Sequence, residues 1–364
     1  MKKYDFVVFG ATGFTGQLIV EYLLNHQETS KLQWAVAGRS KSKLDSLYNS
    51  IDTLVVDSFN IESINSMCKI SKLIITTVGP YSIFGENLIK SCIQYSTHYV
   101  DLTGEPDFVN TIQKKYSTKA LEKNTIIINC CGLESIIPDL GTYITVNKMS
   151  SNEKNITYYL KSKGQISGGT WASFLNAISL NKITKSNKIY NSNNKMKKIF
   201  YNKSFNSWAL IFPVIDKQIV YRTSKAFDIY NNFSFNEYIL IKSLKNVIPL
   251  LIGIFFISFL AKFKLIKKWL TYLKPSGTGP NKNLRNNHWF KAIFIGEGEN
   301  ETVKTIISGG DPGYGETSKF ISEIALCIIN DFSKLKHTKG ILTPIECTGD
   351  LLIKRLTNAG IKIK

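Results

Sequence analysis

Arginine is nearly missing from this chain. Of 46 basic residues, four are arginines (Arg39, Arg222, Arg285 and Arg355), so the formal net charge of +19 rests on lysines scattered among asparagine and isoleucine. Without arginine-rich clusters or a recognition motif, that charge excludes a nucleic-acid reader and leaves anionic lipid or an acidic protein as the surface it would attract. Histidine is equally scarce. The four residues at 26, 98, 288 and 337 form no ligand constellation, so no metal site is expected. The six cysteines (Cys68, Cys92, Cys130, Cys131, Cys327 and Cys347) sit in apolar segments without ligand spacing and read as small hydrophobes of a reducing compartment. Met1-Lys2-Lys3 runs straight into a strand with no secretory leader, so a cytoplasmic location is expected. The uncharged run 247–261 has 15 residues, short of the roughly 20 a spanning helix needs. No G-x-S-x-G elbow occurs.

What the chain does have stands at its start. A strand, Tyr4 to Phe9, leads into Gly10-Ala11-Thr12-Gly13-Phe14-Thr15-Gly16 and an amphipathic helix, and a second strand, Trp34 to Ala37, follows. This unit lays a dinucleotide pyrophosphate on a helix N-terminus. Gly10 permits the turn, Gly13 the close approach of the backbone, and Gly16 the packing of helix on sheet. After the second strand, where a ribose-binding carboxylate would mark NAD, stand Gly38, Arg39 and Ser40, with Lys41 and Lys43 beyond. A guanidinium grips a 2′-phosphate that a carboxylate would repel, so the cofactor expected is NADP(H). Asp57, after a third strand, falls on the adenine side.

Strands and helices keep alternating to about residue 130, which predicts a doubly wound parallel sheet. Beyond that, 156–161 and 218–222 read as strands, 168–182 as a helix, and 185–206 as an Asn/Lys/Ser-rich surface excursion. A hairpin is expected over 288–295 and 301–308, and a strongly amphipathic helix over 316–333. The fold class is therefore α/β: a Rossmann-type domain (1–135), an inserted α+β domain with an antiparallel sheet (136–315), and a C-terminal segment (316–364) returning to the first domain. Lys262, Lys264, Lys267 and Lys268, interleaved with aromatics, follow the apolar run, so 247–270 suits either a membrane interface or a face buried against the second domain or a homodimer partner.

Chemistry is expected at the C-terminal strand ends. Val78, Gly79, Pro80 and Tyr81 would lie over the nicotinamide, with Glu105 and Glu134 near the same crevice. A tyrosine or a carboxylic acid of raised pKa can donate the proton that accompanies hydride transfer. Ser167-Gly168-Gly169-Thr170 and the glycine-dense 309–315 suggest close backbone approach in the second domain, and Tyr314 joins Tyr81, Glu105 and Glu134 as a catalytic candidate. The Tyr-x-x-x-Lys spacings at Tyr159/Lys163, Tyr221/Lys225 and Tyr238/Lys242 read as chance. The first two fall in apparent strands, and the third, which could be helical, lies far from the nucleotide half.

These segments together resemble the saccharopine dehydrogenase-like oxidoreductases, especially the trans-acting enoyl reductase branch. The matching pieces are Gly10 to Gly16, Ala37 to Ser40, Val78 to Tyr81, Tyr99 to Glu105, Ser167 to Thr170, Ser308-Gly-Gly-Asp-Pro-Gly-Tyr-Gly-Glu316 and Gly340 to Pro344. Cys131-Gly-Leu-Glu-Ser135 departs from the branch, which usually shows Asp where Glu134 stands. The resemblance implies an NADPH-dependent reduction of an enoyl thioester on a lipid or polyketide chain carried by another protein. Amino-acid chemistry of the saccharopine type would need several arginines to bind its polycarboxylate substrate, and their scarcity counts against it. A non-catalytic NADP(H)-binding protein at a lipid surface is the remaining alternative.

Overall fold

The computed structural model describes residues 2–165, 197–211, 215–230, 232–243 and 277–364, with single positions between 171 and 275. The glycine-threonine segment 167–170 and the helix expected over 168–182 lie outside the described residues, apart from Trp171 and Leu175.

The first unit is strand-helix alternation throughout: β1 (Tyr4–Phe9), α1 (Phe14–Leu24), β2 (Trp34–Gly38), α2 (Lys41–Leu47), β3 (Asp52–Val55), α3 (Ile61–Ile70), β4 (Ser71–Thr76), α4 (Tyr81–Gln94), β5 (His98–Asp101), α5 (Pro106–Glu122) and β6 (Ile126–Ile128). Among the described residues these strands, joined by β13 (Gly340–Leu342) from near the C-terminus, form one sheet in the order β13-β6-β5-β4-β1-β2-β3, all parallel. Phe6, Val7, Val8, Ile74, Ile75 and Ile127 are fully buried, as expected of strands covered on both faces. The chain turns one way from β1 to β2 and the other way to β4. Their C-terminal ends are therefore the switch point where such sheets bind ligands.

α6 (Leu133–Asn147) leaves the end of β6 and lies against the second sheet, on β11 (Trp289–Glu297) and β12 (Thr302–Gly309). The approach is close. A Cβ on Gly141 would stand 2.1 Å from the Phe294 ring, and Phe294 in turn stacks on Tyr158 at 4.8 Å. The second sheet runs β14-β12-β11-β7-β10-β9-β8, with β7 (Lys154–Lys163), β8 (Ile199–Asn202), β9 (Ser207–Ile211), β10 (Phe233–Ile241) and β14 (Lys362–Ile363). It is mixed, because β7 and β10 pair in parallel while its other pairs are antiparallel.

The expected hairpin over 288–308 is present as β11–β12. Two expectations are corrected. Residues 218–222 belong to a helix, α7 (Asp216–Ala226), whose buried Ile215, Ile219, Val220 and Thr223 follow helical rather than alternating spacing. Tyr221/Lys225 is thus helical and Tyr238 is in strand β10, the reverse of the sequence reading. Part of the expected surface excursion, from residue 199, is strand β8.

A short α8 (Lys282–Asn286) precedes the hairpin, and α9 (Gly315–Asn330) follows it. α9 packs on α1, β4 and β5 through fully buried Phe320, Ile321 and Ile324. β13 (Gly340–Leu342) then joins the first sheet beside β6. After α10 (Pro344–Thr348) and α11 (Asp350–Asn358), β14 joins the second sheet beside β12.

Candidate functional site: a dinucleotide loop and an acidic crevice

The glycine loop is built from backbone. Gly10 adopts φ +91°, a left-handed conformation that favours glycine. Its N–H and that of Ala11 donate to the Ala37 carbonyl at 2.9 and 3.2 Å, and the Gly13 N–H donates to the Gly10 carbonyl at 2.9 Å. A Cβ on Gly16 would stand 2.2 Å from the Gly10 oxygen and 2.9 Å from Ala11 Cα, so the turn and the helix touch backbone to backbone. α1 starts from Gly13 with no side-chain cap and no acidic residue in its first turn. Its first N–H groups, from Phe14, Thr15 and Gly16, are thus left for an anion. Two residues missed in the sequence hold the loop from outside. The Tyr48 hydroxyl donates to the Ala11 carbonyl at 2.7 Å, and the Thr77 hydroxyl donates to the Gly10 carbonyl at 3.2 Å. Thr12, half-buried, lines the loop beside Gly38.

Arg39 is exposed just past β2 and has no hydrogen-bond or ion-pair partner among the described residues. Ser40 caps α2 by accepting from the Lys43 N–H. A guanidinium without a protein partner beside a helix N-terminus is placed for a phosphate. Asp57 is exposed beyond β3 and accepts from the Phe59 N–H. Arg39→Ala is expected to weaken NADPH binding by about 1.5–3 kcal/mol, the worth of a charged hydrogen bond, and to leave NADH unchanged. Fluorescence titration with both dinucleotides checks this, and equal losses for the two would refute it.

The four residues expected to carry chemistry separate. Tyr81 and Glu105 both make hydrogen bonds within the fold. Tyr81 is buried, and its hydroxyl donates to the Thr76 carbonyl at 3.2 Å while accepting from the Leu102 N–H at 3.3 Å. Glu105 accepts from the N–H groups of Tyr81 at 2.7 Å and Ser82 at 3.1 Å, capping α4 just after Val78, Gly79 and Pro80. Those bonds fix both residues at the junction of β4 and α4, beside Val78, Gly79 and Pro80. A fully buried carboxylate missed in the sequence, Asp101, fixes the neighbouring loops. It accepts from the Thr103 and Cys130 N–H groups, the Tyr99 hydroxyl and the Asn129 amide. Burial pushes its carboxyl up to about 6, against the pull of those bonds.

Tyr314 is buried at the start of α9, edge-on to the Phe14 ring at 5.0 Å. The Arg285 guanidinium lies 5.6 Å over the same Phe14 ring, and Gly279 approaches it so closely that a Cβ would clash. The loop carrying Tyr314 is stiffened by Asp311, which accepts from the Tyr314 and Gly315 N–H groups and meets buried His288 Nδ1 at 2.6 Å. The second unit thus closes on the dinucleotide loop through Phe14. Gly164 and Gln165, immediately before the glycine-threonine segment, touch Pro312 and Gly313 of the same loop.

Glu134 differs from the other three. In the first turn of α6 it is exposed to solvent, folded back over Gly132 where a Cβ would meet its carboxylate. The protein around it still strips enough water to push its carboxyl up. A carboxyl group both reachable and desolvated suits the floor of a crevice.

The fold order, the glycine cradle and Arg39 define a dinucleotide-binding oxidoreductase of the doubly wound class. Residues 6–128 match the saccharopine dehydrogenase NADP binding domain. A Bos taurus saccharopine dehydrogenase-like oxidoreductase is 30% identical over 421 residues, covering 99% of this chain and 97% of the relative. The chain belongs to the saccharopine dehydrogenase-like oxidoreductase family, and its cofactor is NADP(H). A Caenorhabditis elegans lipid droplet localized protein is 28% identical, covering 96% of this chain and 95% of that one. A Mycobacterium tuberculosis protein named as a candidate trans-acting enoyl reductase is 26% identical, covering 100% of this chain and 97% of its own. Among solved structures, apo saccharopine dehydrogenase (L-Glu forming) from Saccharomyces cerevisiae shares the fold, with a TM-score of 0.60 at 12% identity and 99% of each chain covered.

Proposed function

We propose that this oxidoreductase reduces an enoyl group on a lipidic acyl chain, presented as a thioester at an anionic lipid surface. The observation that carries the lipid part is an exposed apolar face. Ile252, Phe256, Phe259 and Phe263 recur at helical spacing, and Trp269, Tyr272 and Leu273 follow. All seven are between 50% and 69% exposed. Behind them Ile257, Leu260, Ala261 and Leu270 pack with Trp171 and Leu175, so both sides of the segment are apolar. Solvated aromatics interleaved with Lys262, Lys264, Lys267 and Lys268 in the sequence match an interfacial helix on anionic lipid. Among the described residues no helix is long and apolar enough to cross a membrane. The names of the worm and mycobacterial relatives support the lipid and enoyl readings respectively.

When bound, the reduced nicotinamide supplies a hydride. The chain's own residues do the rest. The N–H groups at the start of α1 hold the pyrophosphate, and Arg39 holds the 2′-phosphate. Glu105 and Tyr81 fix the junction of β4 and α4, while Phe14 with Tyr314 closes the side and excludes water. The net positive charge would also draw an acidic carrier protein to the molecule.

Purified protein given NADPH and a long-chain enoyl thioester is expected to lose absorbance at about 340 nm, the signature of nicotinamide oxidation. Phe256→Ser/Phe259→Ser is expected to abolish sedimentation with phosphatidylserine vesicles while NADPH binding stays intact. Turnover of imines or amino acids in place of enoyl thioesters would overturn the reading, as would cofactor binding with no turnover. A double variant that still binds vesicles but no longer dimerises would assign the exposed face to a second copy of the chain.

A further inference from the structure

The crevice continues inward into carboxyl groups that cofactor binding does not use. α7 packs against both α6 and β10. It brings Asp216, its first residue, to face Glu237, which stands in β10 opposite Tyr158 of β7. Glu134 faces Asp216 from α6. Asp216 and Glu237 are each 4% exposed. One oxygen of each, Asp216 Oδ1 and Glu237 Oε2, has no hydrogen-bond partner among the described residues. A third, independent group points into the same place. Ser135, fully buried and next to Glu134, faces Asp216 with its Oγ lacking a close partner.

The charged and titratable groups around the pair are Glu134 from α6, Lys217 from α7 and Tyr158 from β7. Three carboxyl groups against one ammonium cannot all stay ionised in so dry a setting. Burial pushes Asp216 well above the carboxylate range, with Glu237 and Glu134 adding to the push. Burial raises Glu237 too, and Lys217 offsets only part of it. The two buried acids titrate as a unit, sharing protons rather than each owning one.

We propose that Asp216 and Glu237 hold a proton in reserve and pass it, by way of Ser135, to Glu134, which delivers it to the substrate in the crevice. The proposal rests on the reductase reading above and names the acid for it. As the hydride adds to one carbon of the double bond, the π electron pair moves to the neighbouring carbon. There a C–H bond forms while the Glu134 carboxyl O–H bond breaks, leaving a carboxylate. An acyl chain lying in the crevice shuts Glu134 off from water, so its proton is replaced from behind, and the buried pair refills from solvent after product leaves. Glu134 is the catalytic residue in this scheme. Asp216, Ser135 and Glu237 act through it and are positioning residues.

The reserve can be tested without any substrate. Infrared spectra of the whole protein at neutral pH are expected to show a protonated-carboxyl carbonyl band that Glu237→Gln and Asp216→Asn each remove. Asp139, another fully buried acid that burial raises to about 8, contributes its own band, so the reading is the difference from wild type in an Asp139→Asn background. If both variants leave the band unchanged, there is no reserve. Delivery is tested with NADPH and an enoyl thioester. Glu134→Gln is expected to lower kcat by about 100-fold or more, the usual worth of a general acid, with NADPH affinity unchanged. Glu237→Gln is expected to lower kcat less and to enlarge the solvent isotope effect. Full kcat in Glu134→Gln overturns the delivery step. A wild-type protein that shows the band but reduces no enoyl thioester overturns the proposed function and leaves the reserve standing.

Discussion

Gly16→Val is expected to lose NADPH binding by about 100-fold. The new side chain would meet backbone rather than a movable side chain, since a Cβ there lies 2.2 Å from the Gly10 oxygen. Relief requires the turn and α1 to part, which displaces the N–H groups that hold the pyrophosphate. Overpacking costs about 1–3 kcal/mol, and a site this tight falls at the upper end, which is about two decades in affinity at roughly 1.4 kcal/mol per decade. Gly104→Ala is the control, because a Cβ there meets nothing within 4 Å. Fluorescence titration of NADPH, with circular dichroism to follow folding, measures both. A Gly16→Val protein that binds NADPH as well as wild type would remove α1 from the cofactor site.

The second large effect lies far from that loop. Arg355, on α11, donates to Asp331 through Nε and Nη2, to Glu323 through Nη1 and to Glu28 through Nη2, at 2.7–3.0 Å. Glu323, with a side chain 2% exposed, also receives the Tyr22 hydroxyl and lies 3.2 Å from His26 Nε2. Removing the guanidinium leaves buried carboxylates without their cation, which typically costs about 3–5 kcal/mol. Arg355→Ala is expected to lose that much in urea unfolding, and a loss under about 1 kcal/mol would show the cluster to be only a surface network.

The pH dependence has a definite sign. Burial pushes the carboxyls of Glu28 and Asp331 up, but the bonds and charge of Arg355, with Asn330 on the first and Lys334 on the second, outweigh it and hold both below their ordinary values. Their folded pKa values lie below the unfolded ones. The stability they lend is therefore present above the ordinary carboxylate range and lost as pH falls below about 4. Glu28, the more exposed, contributes less of it. Arg355→Ala is expected to flatten that acid limb.

The first sheet could be read from the chain because its strands are nearly unbroken apolar runs, such as Phe6 to Phe9 and Leu73 to Ile75, punctuated by glycine and helix caps. The dinucleotide loop was legible for the same reason, since its glycines answer to local backbone demands. The second sheet was harder. Ile219, Val220 and Tyr221 look like a strand in isolation, and only tertiary packing makes them helical: Ile215 and Ile219 enter the core of the first unit beside Phe108 and Ile341, while Val220 enters the core shared with the second sheet. β13 is three residues long, too short to carry a period. The roles of Tyr81 and Glu105 were not legible, because a tyrosine and a glutamate at strand ends look the same in sequence whether they react or cap a helix. The difference lies in two N–H groups from another element. Asp216 and Glu237, far apart in sequence and joined only by packing, left no pattern to find.

The segment from β13 to β14 gives one strand to each sheet. On a ribosome that delivers residues in order, the sheet begun by β1 and the sheet begun by β7 both wait for residues 340–363 to receive their last strand. Neither unit can finish ahead of the other, because residues 1–339 alone leave each sheet one strand short.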